Sequence, residues 1–124
     1  MRYLIDTNII IDHLRGDKTA TSFLEEIENR QIKASISVIT EYELLACPIL
    51  TKRQEKEIIS FVKIFAMLNI TPSIVKTAAC FKKTYSAGIV DSLIAATAYR
   101  SKSTLITRNI KHFKNIKEIQ IKSI

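Results

Sequence analysis

Short apolar stretches alternating with helical patterns constrain this chain more than any other feature. Tyr3-Leu4-Ile5, Ala34-Ser35-Ile36-Ser37, Leu68-Asn69-Ile70, Ser103-Thr104-Leu105-Ile106-Thr107 and Glu118-Ile119-Gln120-Ile121 each read as a brief strand, the last an alternating edge strand. Between them, apolar residues recur at helical spacing. The helical sets are Ile9, Ile10, Ile11 and Leu14, broken at Gly16-Asp17; Ala20, Phe23, Leu24 and Ile27; and Val38, Ile39, Tyr42, Leu45 and Ala46, stopping before Pro48. Further on come Ile58, Phe61, Val62 and Phe65 behind the charged run Lys52-Arg53-Gln54-Glu55-Lys56-Glu57, then Ile74, Ala78, Phe81 and Tyr85 up to Gly88. A helix from Ser92 to about Ser101 carries small residues at Ala95, Ala96 and Ala98, which permit close packing on a sheet, and residues 108–113 read as a turn or single helical turn. Strands alternating with helices predict an α/β domain with a mostly parallel central sheet of four or five short strands. Its ligand site is expected beyond the strands' carboxyl ends.

At 124 residues, 47% hydrophobic and 25% charged, the chain is expected to form one domain over 1–124 and not a disordered segment. A net charge of +7 attracts polyanions, nucleic acid first and membrane surfaces second, but charge alone does not choose between them. Cys47 and Cys80 form no Cys-x-x-Cys pair and are expected as small buried hydrophobes. Asp6 arrives before a signal-peptide apolar region is built, and no run approaches the ~20 apolar residues of a membrane span. A reducing cytoplasm is the expected setting, with no membrane partner.

Three carboxylates stand against apolar stretches where an unpaired acid costs several kcal/mol or neutralises. They are Asp6 in Leu4-Ile5-Asp6-Thr7-Asn8, Glu43 in Thr40-Glu41-Tyr42-Glu43-Leu44, and Asp91 in Val90-Asp91-Ser92-Leu93. Helix capping accounts for Asp6 or Asp91 singly, though Thr7 or Asn8 offers a cap in place of Asp6, and a Lys or Arg partner would account for Glu43. Capping explains their joint occurrence less well. Glu41 lies about 200° around the helix from Glu43, so the two cannot enter one pocket. Converging carboxylates at strand ends suit Mg²⁺ or Mn²⁺, and the chemistry such ions support is phosphoryl hydrolysis through an activated water. A substrate of repeating phosphates would explain the basic exterior. His13 and His112 are secondary candidates for metal or acid/base roles, and Arg108, Lys111, Lys114, Lys117 and Lys122 form a basic C-terminal region, either a solvated face or an RNA track.

Four motifs in order resemble the PIN-domain family, and within it the VapC-type ribonuclease toxins of toxin-antitoxin pairs. They are Leu4-Ile5-Asp6-Thr7-Asn8; Ser37-Val38-Ile39-Thr40 with Glu43-Leu44; Asp91-Ser92-Leu93-Ile94-Ala95-Ala96-Thr97-Ala98; and Leu105-Ile106-Thr107-Arg108-Asn109 followed by Phe113. The resemblance implies a three-layer α/β/α sandwich and Mg²⁺- or Mn²⁺-dependent endonucleolytic cleavage of RNA, whether tRNA, rRNA or mRNA. It also implies a homodimer and a cognate antitoxin that covers the acidic cleft. Carried over by position, Asp6, Glu43 and Asp91 are catalytic metal ligands, Glu41 is not, Thr7 or Asn8 supports the first turn, and Asn109 matches a position near the metal. The chain departs from many relatives in the last motif, where Asn109 and His112 stand at positions that are often acidic. Fewer carboxylates favour one tightly bound ion over two.

Two other readings compete. A PIN-like module without catalysis would bind RNA or protein and cleave nothing. A phosphatase using Asp6 as nucleophile would usually need a second acid two residues on, where Asn8 stands.

Overall fold

The computed structural model describes residues 2–30, 32–48 and 51–124. The elements run β1 (Arg2–Ile5), α1 (Thr7–Leu14), α2 (Lys18–Asn29), β2 (Lys33–Ser37), α3 (Val38–Leu45) and α4 (Lys52–Val62). They continue with β3 (Ala66–Leu68), α5 (Pro72–Tyr85), α6 (Ile89–Ser101), β4 (Thr104–Ile106), α7 (Ile110–Phe113) and β5 (Gln120–Lys122). The strands form one five-stranded sheet in the order β3-β2-β1-β4-β5, parallel throughout.

Side chains on a strand alternate between faces, and β1 shows how this builds two cores. Tyr3 and Ile5 pack with Ile9, Leu24, Ile27, Leu44 and Ile58, so α1 to α4 cover one face. Leu4 packs instead with Ile74, Phe81, Ile94, Leu105 and Phe113, so α5 to α7 cover the other. The result is an α/β/α sandwich of three layers. Burial of both faces explains why Leu4, Ile5, Leu105 and Ile106, all without exposed surface, read as continuous apolar runs.

Several local expectations are corrected. The third strand lies at Ala66–Leu68, two residues before the Leu68-Asn69-Ile70 reading, because Ser37 pairs with Leu68 and the chain must leave the sheet to place Thr71 as the cap of α5. Phe65 packs on the core from beyond the end of α4. Cys47 and Cys80 are exposed, not buried. Cys47 follows the last turn of α3, and Cys80 points away from the stripe Ile74, Thr77, Ala78 and Phe81 that α5 buries. Among the described residues no helix is long and apolar enough to cross a membrane.

Candidate active site

From β1 the chain builds outward to β3, then returns to the other side of β1 to lay down β4 and β5. The switch between β1 and β4 is where such sheets open a crevice at their carboxyl ends. Asp6 stands there. Its backbone N–H donates to the Ile106 carbonyl at 2.9 Å, which carries the β1–β4 ladder one residue further before α1 begins.

Asp6 itself caps α1, so neither Thr7 nor Asn8 takes that role. Asp6 Oδ1 accepts from the Thr7 N–H at 2.8 Å, and Oδ2 accepts from Thr107 Oγ1 at 2.7 Å and from Asn8 Nδ2 at 3.3 Å. Only 6% of the residue is exposed. Burial pushes its pKa above the ordinary carboxylate value; the bonds from Thr107 and Thr7 oppose that rise, and the fields of Glu43 and Asp91 add to it.

Glu43 lies half-buried on α3, which starts at the end of β2 with Ser37 as its cap. Thr7 Oγ1 donates to Glu43 Oε1 at 2.6 Å and lies 3.2 Å from the buried Thr40 Oγ1. Thr7 therefore ties the two acids together, its N–H on Asp6 and its hydroxyl on Glu43. Asp91 belongs to the first turn of α6, whose cap is Gly88, so Asp91 is not the cap of that helix. A carboxylate in a first turn is favoured by the helix dipole. His112 Nδ1 stands 3.0 Å from Asp91 Oδ2.

The other candidates divide. Asn109 is exposed at the start of α7, where its N–H donates to Thr107 Oγ1 at 3.0 Å, and its side chain is not bonded to the three acids. Glu41 takes no part in these bonds. His13 stacks on Phe61 with ring centroids 4.9 Å apart and bonds Thr21 Oγ1 at 2.8 Å, which makes it a packing residue.

Arg108 does not belong to a free basic track. Its guanidinium bonds Asp12 Oδ2 at 2.6 Å and both oxygens of Asp17 at 3.1 Å. Arg108 holds the Asp17 carboxyl down at about 2, and Asp17 raises Arg108 in return. Lys111, Lys114, Lys117 and Lys122 are exposed. The Thr7–Thr40 contact and the Arg108–Asp12–Asp17 clamp carried no signal in the sequence, because threonines and surface acids are too common to stand out.

Among the described residues no Lys or Arg pairs with Asp6, Glu43 or Asp91. Nor do three His, Cys, Asp or Glu side chains there stand close enough to enclose one ion. A closed cage is thus not the arrangement present. Mg²⁺ keeps several waters and takes only one or two carboxylates directly, so an open, uncompensated, oxygen-only donor set fits a hydrated hard cation.

The chain matches the PIN domain family over residues 3–119. It is 33% identical to ribonuclease VapC19 of Mycobacterium tuberculosis, with 94% of this chain and 96% of that protein aligned. Its fold matches a toxin-antitoxin complex from Klebsiella pneumoniae with TM-score 0.80 and 30% identity, covering 94% of each chain. It also matches the DNA-bound VapBC of Salmonella typhimurium with TM-score 0.87, over 99% of this chain and 98% of that one; at 19% identity this speaks to fold alone. The order of the four motifs, the parallel sheet with acids at its carboxyl edge, and these likenesses agree: the chain belongs to the PIN-domain family and is of the VapC type.

Proposed function

We propose that this protein is a metal-dependent endoribonuclease, the toxin of a toxin-antitoxin pair, acting in the cytoplasm on tRNA, rRNA or mRNA. The observation that carries the reading is a buried Asp6 joined through Thr7 to Glu43, with Asp91 adding its field and, among the described residues, no Lys or Arg paired with them. Uncompensated acids under a molecule of net charge +7 call for a cation at the centre and a polyanion around it. The names of the relatives support the same substrate class, and the toxin-antitoxin complex at 30% identity supports a cognate antitoxin as partner. A homodimer is part of the proposal.

In this reading Asp6, Glu43 and Asp91 would hold a hydrated Mg²⁺ or Mn²⁺ directly or through its waters, with Asn109 at the rim. A divalent cation, when bound, supplies a water of lowered pKa and offsets the charge that develops on the phosphate. The chain's own residues do the rest. Thr107 and the Thr7 N–H fix the rotamer of Asp6, the Thr7 hydroxyl fixes Glu43, and the exposed lysines near α7 attract the phosphate backbone. The whole chain, 1–124, acts as one domain.

Asp91→Asn is the direct test. It keeps the shape of the side chain and removes its charge, so RNA cleavage is expected to fall at least a hundredfold while far-UV circular dichroism stays the same (about 10²-fold is the order of loss when an electrostatic contributor to the transition state is removed). Undiminished cleavage would remove Asp91 from the site. RNA binding without cleavage by the wild-type protein would favour the inert module, and turnover of small phosphate esters the phosphatase.

A further inference from the structure

α7 is a single turn, yet it is firmly seated: Phe113 and Ile116 are 1% and 3% exposed, and the turn closes through Lys114 N–H to the Ile110 carbonyl at 2.9 Å. It brings His112 Nδ1 to 3.0 Å from Asp91 Oδ2. A ring N–H at Nδ1 is a donor and a carboxylate oxygen an acceptor, so the two atoms are within reach of a hydrogen bond. Nε2 is left on a side chain that is 54% exposed. Among the described residues no other charged side chain pairs with the Asp91 carboxylate.

Asp6 and Glu43 each have an internal partner that fixes them, namely Thr107 with the Thr7 N–H, and the Thr7 hydroxyl. Asp91 has His112 instead. We propose that His112 is a positioning residue for the metal site: its Nδ1–H holds Asp91 Oδ2 and leaves Oδ1 for the cation. This rests on the metal-dependent reading above. A ligating carboxylate is itself hydrogen-bonded in most metal sites, and removing that outer partner typically costs about 10–100-fold in metal affinity or activity. The exposure of His112 places the expectation near the lower end.

The test is Mn²⁺ binding to the intact protein, followed by electron paramagnetic resonance of the free ion, for the wild type, His112→Ala, His112→Asn, His112→Gln and Asp91→Asn. Asn places an amide N–H near the position of Nδ1, whereas Gln places one near Nε2. His112→Ala is expected to weaken Mn²⁺ binding about tenfold, His112→Asn to recover most of that loss, and His112→Gln little of it. Because His112 is on the surface, all three variants are expected to keep the wild-type circular dichroism. Unchanged binding by His112→Ala, with binding lost in Asp91→Asn, would overturn the positioning role and leave the metal site standing. Recovery by Gln in place of Asn would also overturn it, making Nε2 a direct ligand. Unchanged binding in Asp91→Asn would overturn the metal assignment of Asp91 itself.

Discussion

Buried at the end of β1, the Asp6 carboxylate takes bonds from Thr107, Thr7 and Asn8, yet its pKa still lies above the usual carboxylate value of 3.8. Desolvation and two neighbouring acids outweigh the donors. A raised folded pKa means the folded chain keeps its proton where the unfolded one has lost it, so this group's contribution to stability falls as pH rises above 3.8. Asp6→Asn is therefore expected to melt at a higher temperature than the wild type at pH 7 without metal. Added Mg²⁺ should raise the wild-type Tm and leave the variant's unchanged. A lower Tm for metal-free Asp6→Asn would show that the donors, not the burial, dominate. Asp6, Glu43 and Asp91 were legible in the sequence because an acid against an apolar run is chemically conspicuous. Thr7 and Thr40 were not legible as a link, because hydroxyls gain meaning only when the fold sets β1 beside α3.

Helix α6 packs between the sheet and α5 through residues with no exposed surface, Ala95, Ala96 and Ala98. Ala95→Leu inserts three carbons where there is no room, at a cost of about 1–3 kcal/mol. A lowered Tm by differential scanning calorimetry is the expected result, and an unchanged one would mean that the α5–α6 contact is looser than described. The small-residue pattern of α6 announced this packing in the sequence. The exact third strand did not announce itself, since apolar residues flank Asn69 on both sides and pairing with β2 decides the register. A second element-scale device is the Arg108 clamp, which joins the loop after β4 to α1 and to the cap of α2. The folded Asp17 pKa is lowered to about 2 from 3.8, so its stabilisation is present above pH 4 and fades as pH falls from there toward 2. Asp17→Asn keeps a good cap and loses the ion pair. Urea titrations are expected to show it closer to the wild type at pH 2.5 than at pH 6; an equal gap at both would deny the clamp an electrostatic role.

Across the whole molecule the contrast is between a basic exterior and an acidic crevice at the carboxyl edge of a parallel sheet. Composition carried the first half of that contrast, and strand-helix alternation carried the sheet. What neither carried was the spacing of the acids: Asp6 and Glu43 are linked through Thr7, Asp91 stands by its field on Asp6 and beside His112, and together they are an open set and not a closed cage. In the proposed function a bound cation would supply the activated water and the chain's acids would hold it. The most direct measurement is cleavage of a total-RNA and tRNA panel by the purified protein with Mg²⁺ or Mn²⁺ and with EDTA, beside Asp6→Asn. Discrete fragments that require the metal and vanish in the variant are the predicted result. Cleavage that persists in EDTA, or no cleavage of any RNA that the folded protein binds, would contradict it.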